Sequence, residues 1–328
     1  MTLALPVTDP GLESRLRGRM AEVEARLDAA VESEAPFVTE TTRHLLRAGG
    51  KRFRPLLVLL AAEVADQADN ERVLTAACVV ELTHLASLYH DDVMDEAELR
   101  RGTPSANARW DNHVAILAGD WLFSKSSELT SRLGPEAVRI QAETFSRLVE
   151  GQMLETLGPG DGDALAHYLR VVEGKTGSLI ATSARYGSMF SGASPEVVAA
   201  LTAYGEKVGV AFQLADDILD IASDSDESGK TPGTDLREGV PTLPVLMALA
   251  SDDPADARLK ELLTSDLTDD GLHAETLELM RKHPAMDRAR EYVRGLAEEA
   301  HLLLGPVPEG DVRDALAAFA DVIASRTH

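Results

Sequence analysis

Residues 84–107 read HLASLYHDDVMDEAELRRGTPSAN. Within this stretch Asp91, Asp92 and Asp95 form a DDxxD set at the end of an apolar segment. Residues four apart share a helix face, so Asp91 and Asp95 point the same way and Asp92 lies one residue round. Three carboxylates this close repel one another, and next to ELTHLASLY they make a poor arrangement without a cation. Oxygen-only ligands suit Mg²⁺, which takes one or two carboxylates together with substrate phosphate and water. The pattern recurs: FQLADDILD at 212–220 carries Asp216, Asp217 and Asp220 at the same i, i+1, i+4 spacing. In a chain with 55 acidic residues, one such set reads equally well as a solvated acidic face. Two sets, both inside apolar helical segments, argue against that.

Outward from the two motifs, almost every segment reads as helix. Leu, Ala, Glu and Arg dominate, and strictly alternating β-branched runs are scarce. The periodicity predicts helices over about 11–34, 37–48, 53–68, 71–95, 105–108, 112–132, 135–156, 162–185, 194–222, 240–250, 255–265, 269–281, 284–304 and 309–325. Breaks fall at Gly49–Gly50, GPGDGD (158–163), SGASPE (191–196) and GPVPEG (305–310). Ser194–Pro195–Glu196 is a helix start, with an N-cap followed by proline. No linker of domain-dividing length interrupts the chain, so residues 1–328 read as one all-α domain.

The composition narrows the function. Formal charge is −23 over 328 residues, with 44% hydrophobic residues. A surface this acidic repels nucleic acid and anionic lipid, so an anionic substrate must be held by local basic residues or by metal ions. One cysteine, Cys78, excludes an intrachain disulfide and a cysteine-rich zinc site, and its neighbourhood TAACVV predicts a buried thiol. MTLALPVTDP lacks the basic start and long apolar stretch of a signal peptide. PLLVLLAA is far short of a membrane span. The expectation is a cytoplasmic protein without stable membrane insertion.

Against this acidic background a few basic residues stand out by position. GGKRFRP (49–55) puts Lys51, Arg52 and Arg54 after a Gly-Gly turn at a helix start, a setting that favours anions. Arg100 and Arg101 follow the first aspartate motif, before the turn Gly102–Thr103–Pro104. Lys175–Thr176 follows Gly174 inside a long helix, and Lys230 lies in the loop after the second motif. His84 precedes Asp91 by seven residues on one helix, and Phe212 and Gln213 precede the second motif by one turn. Each basic group alone reads as a solvated or helix-end charge. Jointly they are a cation set spaced around two carboxylate sets, as two anionic diphosphates would require. Asp224, Asp226, Ser228, Gly229 and Asp235 loosely match a calcium loop, but Lys230 and Pro232 intrude and the last ligand is not Glu. No nucleophile elbow, Walker A loop, dinucleotide fingerprint or zinc helix is present. Metal-assisted departure of diphosphate needs no protein nucleophile.

These residues resemble the trans-isoprenyl diphosphate synthase family, the head-to-tail polyprenyl synthases. The matches run in order: GGKRFRP, HLASLYHDDVMDEAELRRGTPSAN, AGDWL (118–122), GKTGSL (174–179), FQLADDILD and GKTPGTDLREGVPTLP (229–244). The likeness covers about residues 35–325. It implies an all-α isoprenoid-synthase fold around a central cavity, assembled as a homodimer, with three Mg²⁺ per active site. It implies an allylic diphosphate held by Mg²⁺ through Asp91, Asp95 and Asp216, with Asp92 and Asp220 supporting directly or through water. Arg100, Lys175, Thr176, Gln213 and Lys230 look like further allylic diphosphate contacts. Lys51, Arg54, His84 and Arg101 look like the site for isopentenyl diphosphate. The implied catalytic residues are Asp91, Asp95, Asp216 and Lys175. One departure from the pattern is Val240, where many relatives carry Lys after the glycine of DLREG.

The helix before Asp91 reads as a wall of the growing chain's pocket. Ser87 and Ala86, four and five residues before Asp91, are both small, where short-chain relatives commonly carry a bulky aromatic. The expectation is therefore an open tunnel past the first turn and a long-chain product, with geranylgeranyl diphosphate as the alternative. A class I terpene cyclase is the nearest rival enzyme, but DDILD is not its usual second motif and GGKRFRP would be idle. A non-catalytic partner subunit usually loses one aspartate motif, whereas both are whole here.

Overall fold

Side-chain caps start about half of the helices. Asp9, Asn70, Asp111 and Asp163 each accept a backbone N–H of the following first turn, and proline occupies the first position of several helices. The computed structural model describes residues 7–223 and 232–326. In chain order come α1 (Pro10–Ala30), α2 (Pro36–Arg47), α3 (Phe53–Ala62) and α4 (Glu71–Met94). A hairpin of β1 (Leu99–Arg100) and β2 (Thr103–Pro104) follows, then α5 (Ala106–Arg109), α6 (Asn112–Leu133) and α7 (Pro135–Leu157). Next are α8 (Ala164–Val172), a π-helical turn (Glu173–Gly177), α9 (Ser178–Phe190) and α10 (Pro195–Ala222). The chain ends with α11 (Thr234–Arg237), α12 (Leu243–Leu249), a 3₁₀ turn (Pro254–Asp256), α13 (Ala257–Leu263), α14 (Asp270–Lys282), α15 (Pro284–Leu303) and α16 (Asp311–Ser325). Lys230 and the calcium-loop positions Asp224, Asp226, Ser228 and Gly229 lie outside the described residues.

The chain forms two compact units, each assembled from three segments. One comprises Met1–Phe145, Leu179–Gly205 and Gly305–Leu316; the other comprises Ser146–Ser178, Glu206–Leu304 and Ala317–His328. In the first, α4 is the central element. Leu82, Leu85 and Tyr89 on it are fully buried, and the Tyr89 hydroxyl donates to the Thr41 carbonyl (2.5 Å), tying α4 to α2. α6 lies close along α4: a Cβ at Gly119 would run into the His90 ring, and the Thr83 and Ser126 hydroxyls bond at 2.7 Å. α4 is also the one described helix long and apolar enough to cross a membrane, and 72% of its most apolar window is buried inside the protein. Cys78 on α4 is buried, and burial pushes its thiol up to about 12, as an inert core thiol requires.

In the second unit, Leu214, Ala215, Ile218 and Ile221 of α10 are buried, as are Met286, Ala289 and Val293 of α15. α12 packs on α15. The helix expected over 53–68 stops at Ala62, where the apolar run ends. The helix expected over 162–185 is broken by the π turn and runs on to Phe190. The hairpin and α11 are additions to the sequence reading.

Candidate active site

α4 presents the first aspartate motif at its C-terminal end. Asp91 is half-buried, Asp95 caps the helix and is exposed, and Asp92 has no accessible surface. Arg100 Nε donates to Asp92 Oδ1 at 2.5 Å, while Asp92 Oδ2 is buried without a partner. Burial is the main cause that raises the Asp92 pKa, opposed by Arg100. The outer carboxylates of the motif thus face accessible space and the middle one is an anchor.

The hairpin turn separates the two arginines that follow. Arg101 and Gly102 have φ of 55° and 75°, the pair of positive values that a type I′ turn needs. Arg100 returns to Asp92, whereas Arg101 reaches α2 and the glycine turn, donating to the carbonyls of Leu45 (2.9 Å) and Gly49. A Cβ at Gly50 would lie 2.9 Å from the Arg101 guanidinium carbon, so glycine there admits the arginine. Arg52 has φ 48° and is the internal brace of the cluster: it donates to Glu24 (2.5 Å), to buried Glu81 (2.9 Å) and to the Leu46 carbonyl. Left-handed backbone at Arg52 and Arg101, neither of them glycine, is the kind of strain found at functional sites.

Around His84 these arginines make a strongly positive spot. Burial, then Arg54, Arg101, Arg100 and Arg52, lower the His84 pKa well below its ordinary value. Burial, opposed by Glu81 and helped by Arg101, lowers Arg54 to about 10, and its Nε is buried without a partner. Lys51 is exposed at the rim. Lys51, Arg54, His84 and Arg101 therefore belong to one unit with the first aspartate motif.

The second motif is built on α10 and is likewise split by burial. Asp217 is buried, accepting from Gln213 Nε2 (3.0 Å) and from the Tyr168 hydroxyl. Burial pushes its pKa up to about 6, against the hydrogen bonds from Tyr168 and Gln213. Gln213 Oε1 in turn accepts from Thr176 at 3.1 Å, so Thr176, Gln213, Asp217 and Tyr168 form one chain of hydrogen bonds. Asp220 accepts the backbone N–H groups of Thr234 (3.3 Å) and Asp235 (3.0 Å) at the start of α11. Asp216 is half-buried and takes an ion pair from Arg326 at 2.9 Å. Val240, the departure from the family pattern, is partly exposed just beyond α11.

The π turn places Lys175 and Thr176. A Cβ on Gly151 would lie 2.7 Å from Lys175 N, and one on Gly174 would lie 2.9 Å from Gly151 Cα. Backbone therefore meets backbone between α7 and the turn. The extra residue of a π turn at such a contact is a recurrent feature of functional sites. Thr176 is buried, and Lys175 pairs with Glu155.

The donors present fit a hard divalent cation. They are carboxylate oxygens, and Asp92 supplies an orphaned buried oxygen beside Asp91. Among the described residues no three His, Cys, Asp or Glu side chains converge on one point.

The two residues expected to line the tunnel differ. Ser87 retains a little accessible surface and donates to the His84 carbonyl at 2.8 Å, whereas Ala86 has none. At 3.6 residues per turn Ser87 lies about 40° from Asp91 round the helix and Ala86 about 140°. Ala86 therefore does not share the Asp91 face and does not border open space.

Two contributors were not singled out from sequence, Tyr168 and Arg326. A buried tyrosine hydroxyl needs a partner, which is the signal that Tyr168 carries in an otherwise apolar segment. Arg326 is remote from every motif and carries none.

The family model for polyprenyl synthetase matches residues 35–280. Nonaprenyl diphosphate synthase of Mycobacterium tuberculosis is 50% identical over 319 residues, covering 97% of this chain and 95% of that protein. Geranylgeranyl pyrophosphate synthase of Corynebacterium glutamicum, solved with calcium and isoprenyl diphosphate, superposes with a TM-score of 0.88 at 46% identity, covering 98% and 99% of the two chains. A decaprenyl diphosphate synthase from Rhodobacter capsulatus superposes at 0.87 with 36% identity, covering 97% and 98%. Fold and site together thus have one source: this chain belongs to the polyprenyl synthetase family, with its all-α isoprenoid-synthase fold.

Proposed function

We propose that this protein is a Mg²⁺-dependent long-chain trans-prenyltransferase. It condenses isopentenyl diphosphate with an allylic diphosphate and releases diphosphate and a longer all-trans polyprenyl diphosphate. The observation that supports this is an aspartate motif on each of two helices, α4 and α10, each accompanied by cationic or amide side chains in its own unit: Lys51, Arg54 and Arg101 with the first, Lys175 and Gln213 with the second. The 50% identity to a nonaprenyl diphosphate synthase favours a long product.

Asp91, Asp95 and Asp216 would hold Mg²⁺, three ions in all, with Asp92 and Asp220 supporting directly or through water. Bound there, the ions would supply positive charge to the diphosphate oxygens of the allylic substrate. Arg100, Lys175, Thr176, Gln213 and Lys230 orient that diphosphate, and Lys51, Arg54, His84 and Arg101 hold isopentenyl diphosphate by charge-assisted hydrogen bonds. The allylic C–O bond breaks, the isopentenyl double bond attacks the allylic carbon, and a proton leaves the new cation. The departing diphosphate is the base. Apolar helix walls exclude water from the cation.

The reading includes a single domain and a cytoplasmic homodimer. α7, α10 and α16 each supply residues to both compact units, in support of one domain. The exposed apolar pair Ile116 and Leu117 on α6 supports a second copy packing there. Incubating the purified protein with Mg²⁺, isopentenyl diphosphate and farnesyl diphosphate, then sizing the prenyl chain, tests the reading. A chain of about thirty carbons or more agrees with it, a twenty-carbon product makes it a geranylgeranyl diphosphate synthase, and a cyclised hydrocarbon refutes it.

A further inference from the structure

Asp216 already carries a cation. Arg326, the residue after α16, donates from Nη2 to Asp216 Oδ1 at 2.9 Å across 110 positions of chain. Its guanidinium carbon stands 5.3 Å from the Phe212 ring centroid, one helical turn before Asp216 on α10. Its other terminal nitrogen, Nη1, is buried and has no hydrogen-bond partner. A buried guanidinium N–H without an acceptor is unfavourable, and here it is held at the first carboxylate of an aspartate motif. The other two carboxylates of that motif are turned elsewhere, Asp217 to Tyr168 and Gln213, Asp220 to the backbone of α11.

We infer that Arg326 is an exchange residue of the second aspartate motif, holding Asp216 while the site is empty and passing to the substrate's diphosphate when a divalent cation takes its place. The inference rests on the prenyl-synthase reading above. A cation and a guanidinium on one carboxylate oxygen repel each other, so the ion pair opposes metal binding in the absence of substrate. Diphosphate removes the opposition, because a planar guanidinium fork matches phosphate oxygens and Nη1 gains an acceptor. Metal and diphosphate then favour each other's binding, and by linkage the coupling is mutual. Aromatic contact with Phe212 keeps the fork beside the motif through the exchange.

The test uses the full chain as wild type, Arg326→Gln and Arg326→Lys, with melting curves confirming the fold. Mn²⁺ alone is titrated by electron paramagnetic resonance, and inorganic diphosphate is titrated calorimetrically at saturating Mg²⁺. Arg326→Gln is expected to bind Mn²⁺ about threefold more tightly, the scale of losing one partly exposed ion pair. The same variant is expected to bind diphosphate roughly tenfold more weakly, the scale of losing a hydrogen bond to a charged group. Arg326→Lys, a point charge without the fork, should fall between wild type and Arg326→Gln for diphosphate. A merely structural ion pair would leave both affinities unchanged or weaken both together, and either result overturns the proposal. Wild-type protein that takes up neither ligand overturns the prenyl-synthase reading itself, and the exchange role with it.

Discussion

Arg100 and Asp92 are joined at 2.5 Å in a half-sheltered ion pair whose second carboxylate oxygen is buried and unpartnered. The pair connects the hairpin to the end of α4, so the arginine that follows the motif is positioned by the motif's own middle residue. Removing the arginine leaves an uncompensated buried carboxylate, whereas removing the carboxylate charge does not leave a buried ion behind. Arg100→Ala should therefore lower stability by about 1–3 kcal/mol. Asp92→Asn should cost less, and the double variant should recover part of the Arg100→Ala loss. Thermal melts of the four proteins without metal check this, and strict additivity would show that the two side chains are not coupled.

Asp91 has the opposite character, half-buried and on the face shared with Asp95. Asp91→Ala should leave the helical circular dichroism and the assembly state unchanged while lowering turnover by about 10²-fold or more, the scale of losing one charge-stabilising group at the reacting centre. Radiolabelled isopentenyl diphosphate incorporation measures it, and full activity would remove Asp91 from the metal site.

His84 gives a pH signature. Its pKa is held well below the ordinary 6.5 by burial and by Arg54, Arg101, Arg100 and Arg52. The unfolded chain takes up this proton as pH falls through 6.5, but the folded chain does not until lower pH. The histidine's contribution to stability is therefore present above 6.5 and is lost as pH falls from there toward the folded pKa. A bound diphosphate adds negative charge to this cluster and moves the pKa up. Isopentenyl diphosphate binding at about pH 6 should then take up a proton, which His84→Gln abolishes. Calorimetry in buffers of different ionisation enthalpy reads the uptake. Release, or no buffer dependence in the wild type, would refute the assignment of His84 to an anion site.

The helical architecture was legible because nearly every element is amphipathic or apolar at helical spacing, and about half of the helices open on a side-chain cap such as Asn70 or Asp111. The aspartate motifs were legible because their spacing is local. What escaped depends on contacts between distant segments. EGKTG fits a helix by pattern, and the π turn coincides with a close approach of Gly151 to Gly174 that no local pattern shows. The sequence cluster Lys51–Arg52–Arg54 does not reveal that Arg52 is the brace: Glu24 and Glu81, which hold it, lie 28 and 29 positions away. Nor does a local pattern reach from Asp216 to Arg326.

That glycine contact is itself testable. Gly174→Ala puts a Cβ 2.8 Å from the Arg147 carbonyl oxygen, inside the distance real Cβ atoms keep. Backbone must shift, at about 1–3 kcal/mol, and the shift falls on Lys175 and Thr176. The expected outcome is a lower melting temperature together with a raised KM for the allylic substrate and an unchanged KM for isopentenyl diphosphate. Equal rises in both would mean that the π turn serves the fold and not the allylic site.

The last prediction concerns product length. Ser87 lies on the Asp91 face and keeps some accessible surface, while Ala86 has none. A bulky side chain at either position needs room that a chain-length pocket would supply and a packed core would not. Ser87→Phe should therefore shorten the product with little change in melting temperature. Ala86→Phe must displace its neighbours and should lower stability by about 1–3 kcal/mol, the usual scale of overpacking. Chromatography of the dephosphorylated prenols, run beside thermal melts, separates the two effects. Products of unchanged length from a folded Ser87→Phe protein would move the floor of the pocket away from this turn of α4. A shortened product from a fully stable Ala86→Phe protein would mean that α4 and α6 part to make a tunnel during elongation.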